Sequence, residues 1–578
     1  MRLWRNKLSM TFNLKHVRSD QLIFRRLTHI IILLVPWLLA LYLAYSVRIY
    51  QYSSSLGLLK EMPLTFWIGM LWAASTSAYY ALKAPGNKMF SHLSILQIIC
   101  TNIYFNGLPM IMSVNLNIVG DSFSHSGFNV LVDREGNVAN TVGLASYWYP
   151  GSFIFTVILS KVTLIDYFSI ARYFYLPWSL FILLLAMAFA RVFLKSPIYE
   201  LSLLFLVSSR WIGNFYDYYV IASGLYFTSL LLIVKAMNSK HIRKGIAIAL
   251  LPIIFTLSFS HHLMSILVTL MLAVMVFLKA VRSRIAALAN INELSFVKFS
   301  LSIGFIAFFV WSIFGSPDVL NTYVIKIWTF LNQESYLVRP TQIAMSEVRQ
   351  LNALFKIAST AYFMLLGALI PFYFFVRRKE RSLLVPFVLL SSLLLVFPGL
   401  DFIVLKGTVI ERAVILAPFV LLPSLIVYRG KNTKILAVLL VAGLLISFPA
   451  GYLAEIEWHA TPQDVQGYIF VAETHPVNSI GYLISPTLMF VNPGLPEEST
   501  YKYVFQYPPL LYYYMYVNAK YAKEIPGSKI YYIYIFGDNV KNVNIFMVGN
   551  VERYEELYGA ARLYRSLIYD NGAFNCYI

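Results

Sequence analysis

The sequence predicts a polytopic α-helical membrane protein, on three observations: its mean hydropathy is +0.66, only 13% of its 578 residues are charged, and long stretches carry no charge at all. A soluble chain carries about 25% charged residues, so the composition excludes an ordinary soluble globular enzyme, a disordered protein, a collagen and a coiled coil. The net charge of +19 comes from 46 Lys and Arg against 27 Asp and Glu. In a membrane protein this excess belongs to cytoplasmic loops, which keep Lys and Arg, so nucleic acid is not needed to explain it. The two cysteines, Cys100 and Cys576, form neither a disulfide scaffold nor a Cys-rich metal site.

A helix crossing about 30 Å of hydrocarbon needs roughly 20 apolar residues. Thirteen stretches approach this: 29–48, 64–83, 93–113, 175–194, 197–215, 218–236, 245–259, 263–281, 298–315, 358–376, 382–399, 409–428 and 434–453. Segment 150–168 is a fourteenth apolar stretch, with Lys161 inside it. The first 27 residues are basic and mixed, unlike a signal peptide. No internal repeat of the kind found in inverted-repeat transporters is evident.

Basic loops orient the spans. Seven basic residues lie between Arg2 and Arg26, and further clusters lie at Lys235–Lys244, Lys279–Arg284, Arg377–Arg381 and Arg429–Lys434. With all of them inside, the N-terminus is cytoplasmic and loops 114–149, 315–357 and 400–408 are outside, as is the 454–578 tail. Thirteen crossings satisfy this parity, so 150–168 is expected to be re-entrant or to lie on the surface. Three regions follow: a cytoplasmic N-terminus (1–27), a transmembrane domain (28–453), and an extracytoplasmic C-terminal α/β domain (454–578). In the last, 529–536 and 542–548 have the β-branched and aromatic composition of strands, and 551–566 reads as a helix.

Ionisable residues beside an apolar bundle are functional candidates because they are costly there. The first large outer loop holds Gly120-Asp-Ser-Phe-Ser-His-Ser-Gly127, Asp133-Arg-Glu-Gly-Asn137 and Tyr147-Trp-Tyr-Pro-Gly151. On a helix, Asp121 and His125 share one face and would hold a metal or a substrate hydroxyl. Asp121 alone would serve as a base, or it simply caps a helix over 122–132.

The loop resembles the first outer loop of the GT-C superfamily of membrane glycosyltransferases, particularly its archaeal polytopic members. The matching residues are Asp121, His125, Gly136-Asn-Val138 and Tyr149-Pro-Gly151, and the closing Leu567-Ile-Tyr-Asp-Asn-Gly572 is similar to the endings of those proteins. The layout of inner N-terminus, about a dozen helices, long outer loop and outer C-terminal domain is similar too. The resemblance implies a sugar donor carried on polyprenyl (dolichyl-type) phosphate and a glycan, lipid or protein acceptor at the outer membrane face. It implies no required cofactor. Members that use a divalent cation show paired acids such as Asp-x-Asp, whereas this loop has Asp-Ser-Phe-Ser-His, which leaves a metal at Asp121 and His125 open.

A lipid-phosphate leaving group calls for cations, and arginine donates two hydrogen bonds to phosphate at once. Arg412, in Glu411-Arg-Ala-Val414, is the first choice, with a membrane-interface residue paired to Glu411 or Asp401 as the alternative. Arg210 sits near Asp217, which also suits a structural ion pair. Arg339 belongs to the outer loop that would cover the site, or is a solvated charge. His261 and His262 stand at a break between two apolar stretches, where one would contact phosphate or acceptor, or would hydrogen-bond the broken backbone. Tyr147, Trp148 and Tyr149 would line the substrate and stack on a sugar ring. There is no Walker A loop, dinucleotide fingerprint, HExxH or Gly-x-Ser-x-Gly motif. The rival reading is a multi-pass transporter or flippase of lipid-linked or small polar solutes.

Overall fold

The computed structural model describes residues 28–49, 58–113, 126, 129–130, 132–133, 136–138, 149–209, 218–238, 243–261, 264–269, 272–273, 294–315, 321, 347–371, 373, 410–452, 480–483, 531–537, 567–570 and 574–577. The main helices are α1 (Thr28–Ser46), α2 (Leu64–Lys83), α3 (Lys88–Asn106), α4 (Pro150–Thr163), α5 (Tyr167–Tyr173), α6 (Tyr175–Phe193) and α7 (Ile198–Ser209). They continue with α8 (Tyr218–Asn238), α9 (Arg243–Ser260), α10 (Leu294–Val310), α11 (Glu347–Met364), α12 (Ile410–Leu421) and α13 (Thr433–Tyr452). Three of them, α1, α6 and α13, are long and apolar enough to cross a membrane by length and composition. Several shorter apolar helices accompany them.

An apolar core lies inside, yet the outer surface is apolar as well. Large apolar side chains face outward, as on α1 at Leu34, Leu38, Leu41 and Tyr45. Polar side chains are buried within the core, including Ser94, Gln97, Thr101, Asn102 and Asn106 of α3. In lipid, apolar surface needs no cover, while polar groups gain from facing one another between helices. At the centre lies α7, all twelve of whose residues are buried. A helix apolar all round belongs inside a bundle, and α7 packs against α2, α3, α6 and α13.

Helices α2 and α3 form a hairpin. Gly86 supplies the left-handed turn at φ 78°, and the Asn87 side chain caps α3 by accepting from the Met89 amide at 3.0 Å. The hairpin is then tied to α1 through a proline. Pro36 has no N–H to offer the carbonyl of Ile32 one turn earlier. The Trp72 indole donates to that carbonyl at 3.2 Å, and the Gln97 amide donates to the next one, of Leu33, at 2.9 Å. Tyr104 donates to the Pro36 carbonyl at 2.7 Å, and its ring lies against Gly69, where a Cβ would collide with it.

A second device joins the later helices. After α11, residues Leu365–Leu369 form a π-helical turn, a widening that weakens the helix's own hydrogen bonding. The carbonyls of Leu366 and Gly367 accept from the Tyr428 phenol at 2.8 Å and the Ser424 hydroxyl at 2.5 Å. Both donors lie on the 3-10 segment Leu422–Tyr428 that continues α12.

The described part of the tail holds four strands, β1 (Ile480–Leu483), β2 (Tyr531–Gly537), β3 (Leu567–Asp570) and β4 (Phe574–Tyr577), in the order β1-β2-β4-β3. β1 pairs with β2 in parallel, and β4 lies antiparallel to both β2 and β3. β2 overlaps the strand expected over 529–536. The expected strand 542–548 and helix 551–566 lie outside the described residues.

Candidate functional site

Two elements chosen from the sequence meet. Tyr149 precedes α4 with a non-helical backbone (φ −129°, ψ 51°), and Pro150 follows at the first helical position. Proline suits that position because its missing N–H would have no helical partner there. The break after α9 falls at Ser260-His261, and helix resumes at 264–269. The rings of Tyr149 and His261 stack, with centroids 5.3 Å apart and planes 10° from parallel.

Gly151 brings the backbones together. A Cβ at Gly151 would overlap the Ser260 hydroxyl and reach the Ser260 amide nitrogen at 3.4 Å. The glycine of Tyr149-Pro-Gly151 is therefore a close-approach glycine that lets the start of α4 seat on the end of α9. Around the break, the His261 amide donates to the Leu257 carbonyl at 2.9 Å and the Ser265 amide to the His261 carbonyl at 3.2 Å. The Ser258 and Ser265 hydroxyls share a hydrogen bond of 2.9 Å across it. Ser258, Ser260, His261 and Ser265 are all buried. Backbone hydrogen bonds thus carry the chain through the break, and the imidazole faces an aromatic ring.

A second cluster gathers around Asp133. Asp133 forms an ion pair with Lys161 at 2.5 Å and accepts from the Tyr167 hydroxyl at 3.0 Å. It thereby neutralises the one basic residue inside the 150–168 stretch. Gly136, in the Gly-Asn-Val motif, adopts the left-handed conformation at φ 68°.

Among the other candidates, Arg412 lies in the first turn of α12 (Ile410–Leu421). Asp121, His125, Tyr147, Trp148, Arg210, His262 and Arg339 lie outside the described residues. Among the described residues no three His, Cys, Asp or Glu side chains form a metal-holding group.

Sequence reasoning passed over Glu200, the acid at the start of α7. It is buried, and its Oε1 accepts from Ser91 at 2.5 Å and Ser196 at 2.6 Å. Its signal was available, since an acid inside an apolar stretch is a candidate. The Asp133–Lys161 link had no such signal, because no periodicity relates a loop residue to one 28 positions later. Compared with known families and with curated proteins, the chain matches none.

Proposed function

We propose that the protein is a GT-C-like membrane glycosyltransferase working at the outer face of the membrane. The observation that supports this reading most directly is the seating of Tyr149-Pro150-Gly151 on Ser260-His261. It joins the outer loop that carries Asp121 to the helix break that carries His261 and His262. In the proposed reaction an acceptor hydroxyl or amide attacks the anomeric carbon of a polyprenyl-phosphate sugar. The carbon–oxygen bond to phosphate breaks, polyprenyl phosphate leaves with the electron pair, and Asp121 takes the acceptor proton. His125 assists Asp121. Arg412 holds the phosphate, with Arg210, His261 and His262 as further contacts, and Tyr147, Trp148, Tyr149 and Arg339 line the substrate.

The proposed topology has thirteen crossings, a cytoplasmic N-terminus and the strand-bearing tail outside. The transporter reading would draw on the buried amides of α3. However, Asn102 donates to Ser179 at 2.9 Å and Asn106 donates to Asn102 at 2.7 Å, bonds that suit helix adhesion as well as a solute path. The test is transfer of label from a radiolabelled polyprenyl-phosphate sugar in membranes carrying wild type or Asp121→Asn. Transfer by wild type alone supports the reading. Equal transfer by both removes Asp121 from catalysis, and no transfer by well-expressed wild type with several donors turns the question to transport.

A further inference from the structure

α4 rises about 21 Å at 1.5 Å per residue, short of the ~30 Å hydrocarbon layer. Its side chains divide cleanly. Pro150, Ser152, Phe153 and Thr156 are buried, on the side where α4 packs against α8 and α9. Ile154, Phe155, Ile158 and Val162 are exposed and fall within an arc of about 100° on the opposite side, at 3.6 residues per turn.

The apolar exposure continues around the turn into α5, where Val162 is 77% and Leu164 90% exposed and Ile165 is exposed as well. Leu164 closes α4 in the left-handed conformation at φ 57°, a position that favours glycine or asparagine. An exposed leucine there serves neither the turn nor the packing of the chain on itself.

The polar groups of the same turn are paired with one another or with neighbouring backbone. Ser160 donates to the Ile165 carbonyl at 2.6 Å and Thr163 to the Leu159 carbonyl at 2.7 Å. Asp166 caps α5 by accepting from the Ser169 amide at 3.0 Å and its hydroxyl at 2.7 Å. Lys161 is neutralised by Asp133, and Arg172 donates to the Ser113 carbonyl at 2.7 Å. A turn with its polar groups satisfied internally and its apolar side chains outward is built for lipid, where no water supplies missing partners.

We propose that the α4–α5 hairpin is a lipid-binding element that dips into one leaflet without crossing it. Ile154, Phe155, Ile158, Val162, Leu164 and Ile165 lie among the acyl chains, while Lys161 and Asp166 stay at headgroup depth, about 5–10 Å above the deepest side chains. The inference rests on the membrane character of the chain and is independent of transferase activity.

The test places nitroxide labels on the full-length protein in liposomes, one at a time, at Phe155→Cys, Ile158→Cys, Val162→Cys and Leu164→Cys. Cys576 is replaced by serine and the buried Cys100 is kept, with the exposed Lys88→Cys as the aqueous control. Collisions with oxygen exceeding those with a water-soluble nickel chelate at all four positions, and the reverse at residue 88, is the expected result. Nickel-dominated collisions at 158 and 164 would overturn the proposal by putting the hairpin in water. Exclusion of both reagents would overturn it too: with spin–spin broadening a second copy covers the face, and without broadening the chain's own residues do.

Discussion

The phenol of Tyr452, at the end of α13, donates to the carbonyl of Phe105 at 2.6 Å. That carbonyl would ordinarily bond the amide of residue 109, which is Pro109 and has none. Pro36 and Ile32 stand in the same relation, with Trp72 as the donor. In both places a proline opens a backbone acceptor and an aromatic side chain from another helix fills it. Tyr452→Phe leaves the Phe105 carbonyl buried without this donor, a loss of about 1–3 kcal/mol. Thermal unfolding in detergent should show a lower midpoint, and an unchanged midpoint would mean that the bond carries no net stability.

Gly151→Ala should separate α4 from α9, because the new methyl group meets the Ser260 hydroxyl. Overpacking of this kind costs about 1–3 kcal/mol. The nearest atom belongs to a side chain, so adding Ser260→Gly should recover part of the loss. A double-mutant cycle on unfolding measures the coupling, and simple additivity of the two changes would contradict the close approach.

Asp121 and Asp133 should behave differently. The Asp133–Lys161 pair is partly open, with the Lys161 side chain 64% and the Asp133 side chain 30% exposed, so Asp133→Asn should cost about 1 kcal/mol and leave sugar transfer intact. Asp121→Asn should abolish transfer with expression unchanged. Label transfer by both variants in parallel decides whether Asp121 or Asp133 is the acid that matters.

Glu200 should tolerate only a substitute that keeps an acceptor. Glu200→Ala strips the Ser91 and Ser196 hydroxyls of their shared partner, at about 1–3 kcal/mol for a buried group left unsatisfied. Glu200→Gln retains a carbonyl oxygen and should lose less than half as much. Equal destabilisation of the two variants would show that the carboxylate's charge, and not its acceptor role, holds the start of α7.

The helices were legible in the sequence because their signal is local. Stretch 64–83 coincides with α2 (Leu64–Lys83), and 175–194 and 434–453 agree with α6 and α13 within one residue. The end of α9 at Ser260 falls where the polar Ser-His-His stretch interrupts the apolar run. What joins the elements was not legible. Gly151 signals a turn or a close approach equally, and only the position of Ser260 decides between them. Likewise Pro36 and Pro109 announce an open carbonyl, but Trp72 and Tyr452 are among many aromatic residues that might have filled it. Composition supplies the donors in abundance, and the register between helices selects which are used.

The bond from Tyr452 to Phe105 spans 347 positions, which gives the bundle a history as well as a shape. During synthesis the acceptor in α3 is made early and its partner arrives only with the last helix before the tail. Every intermediate chain therefore inserts with that carbonyl awaiting a donor, and the ring of Phe448, which packs on Phe66, Phe105 and Tyr452, arrives in the same final helix. The hairpin can fasten to α1 as soon as both are made, but its tie to α13 must wait until the chain has grown through Tyr452.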